Sequence, residues 1–531
     1  MRSEGFYVVF GTVVERAVGE RVRALYRALR ADLPPAVTDL GPGYATLYVE
    51  YDAERTNRAA VAAWVRRHLR AVQGGAPAGH TDQTRTIEIP VRYDGEDLAD
   101  VAARTGLDPA EVVRRHAAPT YHVYAVGFTP GFPFLGEVEE ALRLPRRPAP
   151  RLAVPLNAVA IAGAQTCVYP LPSPGGWNLL GTALSTLYDP NRPEPCLLAP
   201  GDAVRFVPVE GPDRPAPTLP PVRPLWPETP ARPALRVEKP GLLDVLVDAG
   251  RFRQAQVGMA RGGPLDPRAA DLANRLVGNP PGTPLLELTL LGPVLTALRD
   301  LRLAVAGFGM TALVGGQPVP AHSAFRLRAG ETLRFRPTAE GTRSYLAVAG
   351  GLETLPFLGS SSVDLTGRVG RALRAGDVLG VGTGTGTVAP VFPGHPAPPL
   401  VAPRDEVRLR LLPGPQASYE ALVALASAPF TVREQDRMGV RLDGPEVPGG
   451  GVVSEATPHG AVQVTPAGQP IVLLGDRGRL GGYHKPAVIH PDDLPLAAQL
   501  RPNARVVFRP LVSGPPQGWA RRWVLDPQGE D

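Results

Sequence analysis

Six residues near the end of the chain carry its densest chemistry: Asp476, Arg477, Gly481, Gly482, Tyr483 and Lys485 fall within ten positions. An acid, two bases and a Gly-Gly pair at that spacing can hold a phosphate or carboxyl group and its metal ion. Lys485 is singled out by rarity. Lysine occurs only at Lys239 and Lys485, with arginine supplying every other base, and a compact ammonium is not interchangeable with a planar guanidinium. The plainer role is a solvated lysine at a strand end. Asp436 and Arg437, with Arg441, form a second cluster that an ordinary ion pair explains nearly as well. In SPGGW (173–177), Gly175 and Gly176 let backbone N–H groups approach an anion, with the Trp177 ring beside them to stack on a flat substrate; a tight turn capped by Trp177 is the alternative. Gly262 and Gly263 precede a helix starting near Asp266 and can turn amides toward a phosphate, or simply make a turn. Asn157 and Gln165 are neutral hydrogen-bonding side chains suited to a small amide, or to satisfying a buried turn.

The elements that must position these groups read as mainly β, with a small α/β domain first. Residues 6–12 and 45–51 read as strands. Helices are expected over 19–31, with Val22, Leu25, Tyr26 and Leu29 on one face, and over 58–72, with Val61, Trp64, Val65 and Leu69. A strand over 86–92 precedes two short helices, 97–104 and 108–116; Asp108, Pro109 and Glu111 suit the cap, first turn and capping-box positions of the second. From Tyr121 to Val209 short apolar runs (123–126, 158–162, 167–169, 183–188, 203–207) cut by Gly and Pro suggest a β-barrel. The same rhythm returns after residue 235, around one helix at 266–277, and again over 404–510, without an exact sequence repeat. The expected organisation is an α/β domain (1–82), a barrel (83–212), a proline-rich linker (213–234), a second barrel (235–383), a low-complexity joint (384–403), a third barrel (404–512) and a loosely held tail (513–531).

Composition narrows the partners. The chain of 531 residues has a formal net charge of only +5, and its bases are scattered rather than blocked, so nucleic acid is not expected. No P-loop occurs, since neither lysine follows a glycine, and HExxH is absent, so no metal site is expected. No methionine precedes a lysine, so the chain lacks a biotin-attachment motif. Cys167 and Cys196 form no metal spacing or disulfide framework. With no signal-peptide pattern and no long apolar run, a cytoplasmic protein without membrane contact is expected.

Two long stretches carry a family resemblance. GFTPGFPFLGEV (127–138) and AVPLNAVAIAGAQTCVYPLPSPGGWNLLG (153–181) resemble allophanate hydrolase subunit 1, also called the B-type subunit of 5-oxoprolinase or Kip inhibitor, over about residues 5–210. VGMARGGPLDPRAADLANRLVGNP (257–280), DRMGVRLDGP (436–445) and GAVQVTPAGQPIVLLGDRGRLGGYHKPAVI (460–489) resemble the partner family, allophanate hydrolase subunit 2, the C-type subunit of 5-oxoprolinase or Kip antagonist. Both halves also share a chain in the carboxyltransferase domain of urea amidolyases. The resemblance implies cyclophilin-like β-barrels, and it gives His116, at the end of a short helix, a role in proton transfer. It implies an ATP- and Mg²⁺-dependent 5-oxoprolinase component acting with a separate lactam-utilisation subunit. Its alternatives are a biotin-dependent carboxyltransferase acting on urea or a similar amide, and a non-enzymatic binder regulating a sensor kinase. The last suits a fusion poorly, because linkage raises the effective concentration of inhibitor and antagonist to roughly millimolar. The sequence departs from the family at Thr182, where Gly-Arg-Thr is usual, at Ser361 in GSSSVD, at AGFGM (306–310), which lacks a usual acid, and at Arg479 and Leu480, which replace part of Gln-Thr-Thr.

Overall fold

The computed structural model describes residues 2–74, 85–149, 151–211, 215, 217–382, 400, 402–512, 518–519 and 522–526. The expected boundary near 82 and nearly all of the joint at 384–403 lie outside these residues.

Alternation builds the N-terminal domain. Strands Val37–Pro42, Thr46–Asp52 and Ser3–Val9 form an antiparallel sheet in that order. Phe6, Val8, Leu47 and Val49 form one core with helices Arg16–Ala31 and Arg58–Gln73, whose buried residues include Val22, Leu25, Leu29, Val61, Val65 and Leu69. Because side chains alternate along a strand, Tyr7 and Tyr48 point the other way and join a different apolar cluster, shared by the barrels. The expected loose tail instead returns to this sheet. Val524–Leu525 adds a parallel strand beside Ser3–Val9, with Tyr7 opposite Val524, and Trp523 and Leu525 are buried.

Two closed seven-stranded barrels follow the same plan. The first is Asn178–Ala183, Thr86–Arg92, Ala203–Pro208, Tyr121–Val126, Pro133–Gly136, Gln165–Tyr169 and Ala158–Ala162; the second is Ala487–Ile489, Glu406–Pro413, Arg505–Pro510, Phe430–Gln435, Gly439–Asp443, Pro470–Leu473 and Ala461–Val464. In each, the first and last strands in sequence pair in parallel and the others antiparallel. Each also carries a two-stranded antiparallel sheet: Arg151–Val154 with Ser173–Gly175 in the first, Gly451–Ala456 with Leu480–Tyr483 in the second. SPGGW and RLGGY therefore occupy the same place in two copies of one topology. Helix Pro109–Ala117 starts as expected, the Asp108 carboxylate accepting the Glu111 N–H at 2.9 Å. The strand expected at 183–188 lies instead at Asn178–Ala183.

The middle unit, expected as a barrel, is a pair of sheets over one core. A five-stranded sheet (Leu243–Val247, Leu285–Thr289, Arg343–Val348, Leu301–Gly307, Ser323–Leu327) faces a six-stranded one that includes Pro233–Lys239, Val294–Ala297 and Thr332–Pro337. Helix Pro267–Leu276, capped by Asp266 onto the Ala269 N–H at 3.0 Å, covers it. The described part of the linker has no helix, and it is no free tether. Leu225 and Trp226 are buried in the middle unit's core, and the Arg223 backbone bonds to Arg368 and Gly370. Among the described residues no helix is long and apolar enough to cross a membrane.

Candidate functional site

A cleft of about 740 Å³ opens between the first half of the chain and the last barrel. Its walls include Glu137, Arg143, Arg146 and Gln165 from the first half of the chain, and Gly482 and Tyr483 from the last barrel. Val13, Val14, Val452 and Val453 supply apolar surface. The Arg146 guanidinium carbon lies over the Trp177 and Tyr483 rings, 6.0 and 5.9 Å from their centroids. Gly482 makes room for it: a Cβ there would stand 2.6 Å from Arg146 Nη2. Glu137 Oε1 accepts the Arg16 N–H at 2.7 Å and the Tyr124 hydroxyl at 3.0 Å, so one carboxylate oxygen is fixed. Of the residues singled out in the sequence, Gln165, Gly482 and Tyr483 line this cleft, with Trp177 beneath them. Trp177 is buried and packs edge-on against Phe132 and Phe134. Gly175 lies over the Tyr169 ring, and Gly176 accepts the Arg147 N–H through its carbonyl. Gly481 packs on the Gln463 carboxamide.

Lys485 stands behind the cleft, not in its wall. It has no exposed surface, and its ammonium pairs with Glu455 at 2.9 Å and donates to the Tyr483 carbonyl at 3.3 Å. Gln416 braces both partners, donating to Glu455 Oε1 and accepting the Lys485 N–H. Lys485, expected to hold a phosphate or carboxyl group, instead holds Glu455 in an enclosed ion pair, and it is not the solvated strand-end residue of the alternative either.

A second assembly of charge joins three units at their meeting point. Asp39 of the N-terminal sheet accepts from Arg479 at 2.6 Å, and Glu50 pairs with Arg261 at 3.2 Å, with Arg479 at 3.8 Å. Burial pushes the Glu50 carboxyl up, but Arg261, Arg479 and Arg477 outweigh it and hold it at about 2. Arg477 is lowered to about 10 by burial and by Arg479. It donates to the Thr457 carbonyl at 2.9 Å, while Nη1 and Nη2 have no hydrogen-bond partner among the described residues. His459 is held neutral, at about 3, by burial and the same arginines. Three guanidiniums, Arg261, Arg477 and Arg479, thus face Asp39, Glu50 and Asp52 inside the protein. Asp39, Glu50, Arg261 and His459 were not singled out in the sequence: Asp39 and Arg479 are 440 positions apart, so no local spacing announces the pair.

The other residues are placed elsewhere. His116 lies inside the first barrel, stacked on Phe206, with Nδ1 bonded to the Tyr93 hydroxyl at 2.8 Å and Nε2 to Thr166 Oγ1 at 2.9 Å. Burial holds it at about 3. With both nitrogens engaged and no exposure, it is a core histidine without a route to the cleft. Asn157 closes a turn at φ 59°, donating to the Ala183 and Ser185 carbonyls. Asp476 and Arg437 form a buried bridge: Arg437 Nε donates to Asp476 at 2.8 Å and Nη1 bonds to Glu287, so the arginine clamps the last barrel to the middle unit. Arg437 also donates to the Gly263 carbonyl at 2.8 Å, and Gly263 N donates to Ser362. Gly262 and Gly263 turn at φ 64° and 80° within this seam. Asp436 is half exposed and caps its own turn through the Met438 and Gly439 N–H groups. Thr182 bonds to Asp94, and Ser361 to Asp248 and Thr354. Leu480 fills the space beside Gly127. The described residues contain no group of three or more His, Cys, Asp or Glu side chains able to hold a metal ion.

Comparison with known proteins follows the same division. The carboxyltransferase domain, subdomain A and B, matches residues 257–510, and the carboxyltransferase domain, subdomain C and D, matches residues 1–198. The chain is 54% identical over 129 residues to the B-type subunit of 5-oxoprolinase from Escherichia coli O157:H7, a segment covering 24% of this chain and 59% of that protein, less than two thirds of its length. It is 33% identical over 292 residues to the C-type subunit of 5-oxoprolinase from Escherichia coli K12, covering 50% of this chain and 87% of that one. Urea amidolyase of Saccharomyces cerevisiae is 29% identical over 305 residues, or 52% of this chain and 17% of that protein. The crystal structure of TTHA0988 superimposes with a TM-score of 0.86 at 54% identity, over 96% of this chain and 100% of that one.

Proposed function

The chain belongs to the family of carboxyltransferase A/B and C/D domain proteins that includes the B-type and C-type subunits of 5-oxoprolinase, and on that footing we propose that it is the fused B and C component of an ATP-dependent 5-oxoprolinase. The supporting observation is the cleft walled by both halves, with Arg146 and Gln165 from one side and Gly482 and Tyr483 from the other. A site split in this way needs the two halves together, whether as partner chains or as one. Its volume lies within the ~300–1,000 Å³ of small-molecule sites. A lactam is a poor electrophile; ATP, when bound, supplies a phosphoryl group that makes the amide oxygen a leaving group. In this reading the apolar walls exclude water, Arg143 and Arg146 hold anionic groups, and the Gln165 carboxamide orients the amide. With no cluster of metal-binding side chains among the described residues, Mg²⁺ would enter on the nucleotide's phosphates. Ring opening to glutamate falls to a separate lactam-utilisation subunit, and the setting is the reducing cytoplasm, in keeping with the unpaired Cys167 and Cys196.

A second reading rests on the likeness to urea amidolyase: transfer of a carboxyl group from carboxybiotin, carried on another protein, to urea or a similar amide. One assay divides the two. The chain, a lactam-utilisation subunit, ATP and Mg²⁺ are mixed with 5-oxoproline, and ADP and glutamate are measured. Equal release of both is expected. No 5-oxoproline-dependent ADP, together with carboxylation of urea when biotin carboxylase and its carrier are supplied, decides for the second reading.

A further inference from the structure

One cation lining the cleft has no ion pair among the described residues. Among the described residues Arg146 has no carboxylate partner and no hydrogen bond, whereas its neighbour Arg147 pairs with Asp97 at 2.6 Å and Arg143 donates through Nε to the Val138 carbonyl. Cation–π contact with the Trp177 and Tyr483 rings, at 6.0 and 5.9 Å to their centroids, engages the guanidinium through its carbon. It leaves the N–H edge, which is the edge that grips a planar anion by two parallel bonds. Gly482 supports this arrangement independently, because any side chain there would collide with Nη2. Rings from both barrels and a glycine thus hold a half-buried charge in place without neutralising it. Exposed arginines are flexible and solvated; this one is oriented, and orientation before binding removes part of the ordering cost of a ligand.

We infer that Arg146 is the anion anchor of the cleft, gripping the carboxylate of a small cyclic amide. This rests on the cleft being the substrate site. Gln165, which can both donate and accept, faces the same space and suits the amide end of such a molecule. The valines at 13, 14, 452 and 453 suit its apolar ring. Carboxylate, ring and amide are thereby matched by separate parts of one wall.

Titration calorimetry on the full chain tests it with two probes, L-5-oxoproline and 2-pyrrolidinone, the same lactam without the carboxylate. Wild type should bind 5-oxoproline at least tenfold more tightly than 2-pyrrolidinone. Arg146→Met should lose that tenfold for 5-oxoproline and leave 2-pyrrolidinone unchanged, and Arg146→Lys, charged but unforked, should fall between. Gly482→Ala displaces only the end of a flexible side chain, so it should fold normally and weaken 5-oxoproline binding several-fold; it carries the test if Arg146→Met does not fold. Wild-type affinity for 5-oxoproline in Arg146→Met or Gly482→Ala, equal affinity for the two probes, or no 5-oxoproline binding would each overturn the assignment. The two proposals fail separately: Arg146-dependent binding without ATP-driven turnover sinks only the oxoprolinase reading, and full turnover in Arg146→Met sinks only the anchor.

Discussion

Lys485 draws attention in the sequence by its rarity, and the structure answers with burial: its ammonium is 2.9 Å from Glu455 and wholly enclosed. Removing one member of a buried pair strands the other charge, which typically costs about 3–5 kcal/mol. Lys485→Met should therefore lower the stability of the chain by about 3 kcal/mol, read as a fall in the urea midpoint at constant slope. Adding Glu455→Gln to it should restore more than half of the loss. If Lys485→Met is as stable as wild type while turnover collapses, the lysine serves the reaction directly and the ion pair is incidental. Scarcity of a residue type marks a constrained position, but it does not say whether packing or chemistry sets the constraint. His116 makes the same point, since a helix-terminal histidine reads as accessible until the barrel closes over it.

At the scale of elements, what the sequence made legible was local. The helices starting at Pro109 and Pro267 follow from Asp caps and first-turn prolines, and both caps form. The strands at 86–92 and 158–162 follow from apolar runs bounded by turn residues. Helix Tyr419–Ser427 escapes the same reading because YEALVALAS is apolar almost all round, so no single face stands out, although Ser418 caps it. Val37–Pro42 escapes because Gly41 and Pro42 end it as a turn would. The cleft was half legible: the Gly-Gly-aromatic loops were visible, but their meeting around Arg146 depends on how two barrels dock. The proline-rich segment was read by composition as a tether, yet its apolar residues decide its behaviour. Trp226→Ala should cost about 3–5 kcal/mol, as for a buried tryptophan elsewhere. A change of less than about 1 kcal/mol in the unfolding free energy, in the range of ordinary surface substitutions, would mean that the segment only rests on the surface.

Across the whole molecule, the two halves are joined in three independent ways. The Asp39–Arg479 and Glu50–Arg261 pairs cross the junction, an apolar cluster runs from Tyr7 and Tyr48 through Phe132 and Trp177 to Leu480 and Trp523, and the strand Val524–Leu525 returns to the N-terminal sheet. Pieces comprising 1–211 and 215–531, co-expressed without a covalent link, should copurify as one complex and retain the cleft. The second piece must begin before Leu225, or it forfeits part of its own core. Independent elution at micromolar concentration would show that the linker, and not the interface, holds the halves together.

The pairing of Val524–Leu525 with Ser3–Val9 also orders events in time. The ribosome makes the N-terminal sheet first, but one edge of that sheet lacks its neighbour until residue 525 has emerged. An open strand edge invites pairing with another chain, so the nascent protein carries a sticky border throughout its synthesis. Val524–Leu525 seals it, and any product cut short before Trp523 leaves it bare.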